Sequence, residues 1–345
     1  MPRSLGVGSL GRSDTVRRVV RNPWLDNAKF WLVTFVVVGH AWGQLEPGED
    51  AHRLYDFVYA WHIPAFVLVS GHLSRSVTWS RRHLLAAVTM LLVPYLLFEP
   101  ALYFFRRALG QSEDGVLWLE PHWTMWYLIV LLGWRLAAPL LVRHWLWVPA
   151  SVAISLAAGL LELPWFDLNR FFGLLPFFVM GLHLERRHLA RLAGTWWLRL
   201  LAVAALAWIY TLAGHTDDLA RTAFLYYDRG YATLGYTAAE GAAIRLAVMG
   251  TGILGSVAVL ALVPRRRSRL TALGGATMVV YLFHGFAIRA VEATGVLAIS
   301  AVQPLSTLVV TAVGGVALSI LLASPPVARR LGPLTDPLAR LRAER

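Results

Sequence analysis

Three histidines stand within apolar stretches, where an imidazole is costly unless it has a partner or a task. His40 closes the run Phe30-Trp-Leu-Val-Thr-Phe-Val-Val-Val-Gly-His40, His62 lies in a second apolar run, and His284 lies in a later one. Imidazole offers three kinds of service there: proton transfer near neutral pH, zinc ligation, or a hydrogen bond to a neighbouring helix. Three imidazoles suffice for zinc, but no HExxH-like spacing is present and the chain has no cysteine, so no metal site is expected. Three histidines set away from the ends of separate apolar segments read as one site.

Local spacing adds candidates. Lys29 precedes His40 by eleven residues, three helical turns, so the two share a stripe of one helix. Asp26 is one turn from Lys29 and placed to pair with it. His62 is followed by Ile63-Pro64, and the proline leaves a carbonyl of the preceding turn without its donor, a break tolerated where it lines a cavity. Tyr281 lies one turn before His284. Glu99 precedes Pro100 near the end of the third apolar block, and Arg170 opens the sixth. At about 1.5 Å per residue, His40 is about 16 Å from Lys29, His62 about 10 Å inside its span, and His284 about 18 Å from the start of its own. All three depths fall between mid-membrane and the outer half. His72 and His83 near the opposite surface, and His188 and His215 in loops, read as solvated.

The elements that must hold these residues are membrane helices. The 345-residue chain is 57% hydrophobic and only 15% charged, less charge than a soluble domain of this size carries. Its apolar residues come in blocks long enough to cross a bilayer as helix. An all-α polytopic bundle of ten spans is predicted, near 28–45, 55–73, 84–105, 123–142, 145–161, 170–184, 196–214, 242–263, 272–292 and 297–323. A segment 1–27 precedes it and a short, unstructured tail 324–345 follows. The first 21 residues are basic and polar with no apolar core, so no cleavable signal is expected and the first helix serves for insertion.

The net charge of +12 does not point to nucleic acid, because the arginines sit in the short gaps between apolar blocks. Those around Arg17, Arg81, Arg187, Arg266 and Arg330 fall on one side of the predicted topology, 22 basic residues against six on the other. That bias places both termini in the cytoplasm. On the outer side, the longest loop, 215–241, is rich in tyrosine and aspartate, and the segment 106–122 runs into Trp123. Trp118, Trp123 and Trp126 suit an interfacial aromatic belt. Gly250, Gly252 and Gly255 suit close helix packing.

Five ordered motifs resemble the acyltransferase-3 family of membrane acyltransferases, and in particular its branch similar to fucose 4-O-acetylases. Lys29 and His40 satisfy the family's Arg/Lys, ten residues, then His. Tyr59-Ala-Trp-His62-Ile-Pro64, followed by an apolar stretch to Ser70-Gly71, is similar to its Phe-His-Met-Pro…Ser-Gly segment, with Trp for Phe and Ile for Met. His122-Trp123-Thr-Met-Trp126-Tyr127, Arg170-Phe-Phe…Leu175-Pro176-Phe-Phe-Val-Met-Gly181 and Tyr281-Leu-Phe-His284-Gly285 complete the set.

The resemblance implies transfer of an acyl group, usually acetyl, from cytoplasmic acyl-CoA to a hydroxyl of a carbohydrate, glycolipid or related molecule, in a multi-pass protein of the plasma membrane, with no bound cofactor and no nucleic-acid partner. A hydroxyl attacks only as its proton is taken, which suits His40 as general base; a transient acyl carrier is the other role open to it. His62 or His284 would orient His40 or the acceptor. Lys29, Arg81 and Arg82 face the side from which CoA phosphates arrive. Arg170 or Tyr281 would supply an oxyanion donor, and Asp26, Glu99 and Trp123 join the substrate-binding set. A transporter without chemistry, or an inactive scaffold, remains the rival reading; a transporter predicts inverted repeats with broken helices, and none is detected.

Overall fold

A computed structural model describes residues 22–45, 49–111, 115–297 and 304–338, and among them helices joined by turns and loops make up the chain, with no strand. Most of the expected N-terminal segment, with Arg3, Arg12, Arg17, Arg18 and Arg21, and the tail arginines Arg340, Arg342 and Arg345 lie outside the described residues. The first helix, α1 (Pro23–Trp42), starts where Asn22 accepts a hydrogen bond from the Trp24 amide and Pro23 presets the first turn. Two helices follow, α2 (Glu49–Tyr59) and α3 (His62–Ser74). The break between them obeys the chemistry of Pro64: its nitrogen cannot donate to the Ala60 carbonyl, and the helix stops at Tyr59 and restarts at His62.

A long helix, α4 (Arg81–Ala108), carries a π-turn at Val88–Leu92 just before Pro94. Further along, Pro100 frees the Leu96 carbonyl, which accepts from the Trp118 indole at 3.4 Å. The rest of the bundle comprises α5 (Trp126–Leu141), α6 (Trp147–Ala158), α7 (Leu168–Gly173), α8 (Leu175–His183), α9 (Arg186–Gly194), α10 (Trp196–Ala213), α11 (Ala238–Leu262), α12 (Thr277–Ala293), α13 (Pro304–Ala323) and α14 (Pro325–Thr335).

Helices stand at all ten predicted span positions. Among the described residues, five segments are long and apolar enough to cross a membrane: Ala51–Ser74, Arg81–Ala108, Trp196–Ala213, Ala238–Leu262 and Ser306–Ala323. A sixth qualifies if Arg269–Gly275 and Thr277–Ala293, bent by 82°, count as one. α1 has the length, at 20 residues, but Asp26, Asn27, Lys29 and His40 dilute its apolar character. α5 and α6 are apolar and shorter, at 16 and 12 residues.

The tightest crossing joins α3 to α8. A Cβ on Gly71 would overlap the Phe178 carbonyl, and one on Gly181 would overlap the Leu68 carbonyl, so two glycines let the backbones touch. Gly252 and Gly255 of α11 act likewise against Phe177 and Trp61, but Gly250 does not: a Cβ there would meet nothing within 4 Å. The predicted unstructured tail is corrected as well. Ser324, Pro325 and Pro326 start α14, whose Val327 and Leu331 pack on the main core. His72, expected to be solvated, is buried, with Nδ1 at 2.7 Å from the Leu184 carbonyl, because the α3–α8 crossing encloses it. His215 is exposed as expected.

Candidate active site

Chain direction sets two ends of the bundle. α1 runs from Lys29 to His40, and α2 and α3 return, so Arg81 at the start of α4 shares the Lys29 end. At the other end lies a pocket of about 280 Å³ lined by His40, Tyr55, Tyr59, Trp123, Trp126 and Arg170, with Tyr226, Asp228 and Arg229 from the 215–237 loop. His40 occupies the last turn of α1, later in its helix than the mid-span depth the sequence suggested, because α1 ends at Trp42.

The His40 ring is half-buried and open to this pocket, whereas His62 and His284 have no exposed surface. His284 stacks on His40 with ring centroids 5.4 Å apart, and Trp123 meets His40 edge-on at 4.9 Å. Tyr59 places its hydroxyl 3.2 Å from His40 Nδ1, and the His62 ring packs against Tyr59 at 4.6 Å. His62 turns Nδ1 back across the break to the Val58 carbonyl in the last turn of α2, at 2.9 Å, and His284 turns Nδ1 to the Tyr281 carbonyl of its own helix, at 2.7 Å. Those bonds fix the rings, and neither Nε2 has a hydrogen-bond partner. The three predicted histidines therefore form one cluster, with His40 alone open to a ligand and the other two behind it.

Arg170 holds the opposite wall. It bonds Asp167 at 2.7 Å, Asp228 at 2.9 Å and the Tyr226 carbonyl at 3.3 Å, and lies over the Trp126 ring at 5.0 Å. Three of its five N–H donors are thereby committed, so it bridges α7 to the loop instead of standing free as an oxyanion donor. Burial pushes the Asp167 carboxyl up from its ordinary range, opposed by the Arg170 charge, and burial likewise raises the Tyr226 phenol. Tyr226 in turn bonds Tyr55 at 2.8 Å, and Tyr55 stacks on Tyr59 at 4.0 Å. An aromatic ladder thus runs from the loop to His40.

Backbone strain gathers here. Among the described residues, five non-glycine residues have left-handed φ: Trp118, Trp123, Phe166, Asp167 and Tyr227. Trp123 meets His40 edge-on, Asp167 grips Arg170, and Tyr227 turns the chain before Asp228. Each such residue costs on the order of 1–3 kcal/mol and persists only where its surroundings over-determine it, a pattern common at sites.

Other predicted residues fall elsewhere. Glu99 is fully buried; it accepts the His122 backbone N–H at 3.0 Å and a short hydrogen bond from the His122 ring, so it anchors the turn carrying Trp123 and does not face a ligand. The Tyr281 hydroxyl is given to the Thr124 carbonyl, which removes it as an oxyanion donor. Trp123 and Trp126 line the pocket; Trp118 is exposed. Asp26 and Lys29 do pair, at 2.8 Å, at the far end of α1, and Arg81 and Arg82 are exposed.

Sequence reasoning did not select Tyr55, Tyr59, His122, Asp167 or Asp228 as site residues. Tyr59, one turn before His62, was within reach of spacing arguments; Asp228 had only the acidic, tyrosine-rich character of its loop to mark it.

The family model described as an acyltransferase domain, Acyl_transf_3, matches residues 22–324. The chain belongs to the acyltransferase-3 family. Comparisons with curated proteins and with solved structures give no match. The matched stretch holds the whole histidine cluster and every residue lining the pocket, so a membrane acyltransferase is the frame in which this geometry acts.

Proposed function

We propose that this protein is an O-acyltransferase of the plasma membrane, similar to the fucose 4-O-acetylase branch, with ten spans and both termini in the cytoplasm. It moves an acyl group, in the first place acetyl, from cytoplasmic acyl-CoA to a hydroxyl of a carbohydrate or glycolipid. The observation that carries this reading is the half-buried His40 ring, open to a pocket and backed by His284, Trp123 and Tyr59.

In the direct route, His40 takes the acceptor proton as the hydroxyl oxygen attacks the thioester carbonyl. The C–S bond then breaks, and the proton passes to the departing thiolate. In the carrier route, a His40 nitrogen attacks the thioester carbonyl and the C–S bond breaks to release the CoA thiolate; the acceptor hydroxyl oxygen then attacks the acyl-imidazole, the N–acyl bond breaks, and the hydroxyl proton passes through the released imidazole to the thiolate. When His40 donates Nδ1–H to Tyr59, Nε2 keeps its lone pair for either route. Lys29, Arg81 and Arg82 meet the CoA phosphates at the cytoplasmic end. The thioester then extends along α1, over the roughly 16 Å that separate Lys29 from His40. The pocket suits a sugar: aromatic faces from Trp123, Trp126 and Tyr226 flank the polar Asp228 and Arg229, and such mixed linings orient small polar ligands.

The test is acetyl-CoA turnover by purified protein on a panel of monosaccharides and glycosides, wild type against His40→Ala. Acylation by wild type and its loss in His40→Ala supports the assignment. Equal rates on an identified acceptor would remove His40 from the chemistry.

A further inference from the structure

A second cavity opens beside the His40 pocket. It is an apolar groove of about 610 Å³ between α10 and α11, walled by Trp208, Leu212, Ala247, Gly250 and Leu254. Leu225 lines both the groove and the pocket. α2 and the turn after it are the partition: Tyr55 and Tyr59 of α2 line the pocket, while Asp56 of α2 and Ala60 of the turn line the groove. Along α11 the groove extends from Ile244 to Leu254, about 15 Å of helix, in the half that adjoins the loop carrying Asp228.

Gly250 sharpens the picture. Its neighbours Gly252 and Gly255 serve close packing, yet Gly250 serves none and leaves an open notch on the groove wall. A further apolar groove, about 540 Å³ between α1, α12 and α13, has no wall residue in common with the pocket. The groove at Gly250 is therefore distinguished by its shared wall with the site.

We propose that pocket and groove form one bipartite acceptor site: the reacting saccharide sits at His40, and the alkyl chain of a lipid-linked acceptor lies past Leu225 in the groove between α10 and α11. This rests on the acyl-transfer reading above and narrows its acceptor class to membrane-anchored saccharides. Because Leu225 is a wall of both cavities, a chain passing it goes from a polar lining to an apolar one, so head and tail each meet matching surroundings.

The test compares acetylation of methyl and dodecyl glycosides of the same sugars by protein in lipid nanodiscs. Wild type should show a KM about tenfold lower for the dodecyl form. Partition of the tail into lipid would also lower KM, so the decisive variant is Gly250→Phe, at a position where an added Cβ meets nothing within 4 Å. It should erase most of the tail preference and leave methyl-glycoside kinetics at the wild-type level; Gly314→Phe, in the other groove, should change neither. A preference that survives Gly250→Phe, or one lost only in Gly314→Phe, overturns the proposal, as does wild type with no preference. Should Gly250→Phe not be recovered folded, Ala247→Leu occupies the same groove one turn away.

A readout independent of turnover uses a dodecyl glycoside with a diazirine on its chain. Labelling on α10 or α11 supports the groove, and labelling confined to α1, α12 and α13 refutes it. Labelling at the groove with no acylation of any glycoside would instead strike at the acyl-transfer reading, so the two failures are distinct.

Discussion

At the His40 end of the bundle, Arg170 is held by two carboxylates and a carbonyl, all within 3.3 Å, and the backbone around it is bent into left-handed conformations at Trp123, Asp167 and Tyr227. At the Lys29 end, Lys29 has Asp26 for a partner, and Arg81 and Arg82 extend from the first turn of α4 into open surroundings. A cation already saturated by carboxylates builds a wall; an exposed cation is available to an anion from solution. The contrast separates a preorganised pocket, where atoms must be held still, from a surface suited to collecting a charged substrate.

The contrast can be broken most directly at His40. His40→Ala is expected to lower kcat by about a hundredfold to ten-thousandfold, the span of general acid–base catalysis, with little change in stability. Parallel kinetics and thermal melts check both halves.

Next in size is Arg170→Leu, which leaves Asp167 and Asp228 facing each other without a cation. A fully buried pair broken in this way costs about 3–5 kcal/mol. Partial exposure of all three side chains, 20% for Arg170 and Asp228 and 11% for Asp167, reduces the expectation to about 2 kcal/mol. Arg81→Leu, at the other end, should stay within about 0.5 kcal/mol. Equal melting shifts for the two variants would erase the distinction drawn between the ends.

A smaller effect is expected from Tyr59→Phe, which removes the hydroxyl at His40 Nδ1 but keeps the ring. Loss of about 1 kcal/mol of orientation corresponds to roughly fivefold to tenfold in kcat, with the KM for acyl-CoA unchanged. The smallest effect belongs to the other end: Lys29→Gln combined with Arg81→Gln and Arg82→Gln should raise the acyl-CoA KM about fivefold with kcat preserved, and added salt should weaken wild-type binding in the same direction. A fall in kcat without a KM change would place those cations in the chemistry and not in capture.

Several parts of this arrangement were legible from residues alone. The helical positions follow from apolar block length, and the break before His62 follows from Pro64, because a missing N–H is a local fact. The Asp26–Lys29 pair follows from one helical turn. The association of His40 with His284 was an inference from depth, and the structure brings the rings to 5.4 Å. The partners of Glu99 and Tyr281 were not legible, because each commits polar atoms to a distant segment, His122 and Thr124, and no spacing rule reports that.

What this sequence determines by itself is therefore one-dimensional: where helices run, where they must break, which residues lie a turn apart, and which family motifs recur in order. Those properties depend on hydrogen bonds within a turn and on transfer of each side chain between water and lipid, which neighbours in sequence suffice to set. Tertiary structure alone decides which stripe of each helix faces which other. It brings the loop carrying Asp228 to Arg170, 58 positions away, commits the tyrosine and carboxylate atoms, and opens the groove beside Leu225. Those outcomes depend on close packing between segments, such as the two glycines at the α3–α8 crossing, where the shape of one surface is completed only by another.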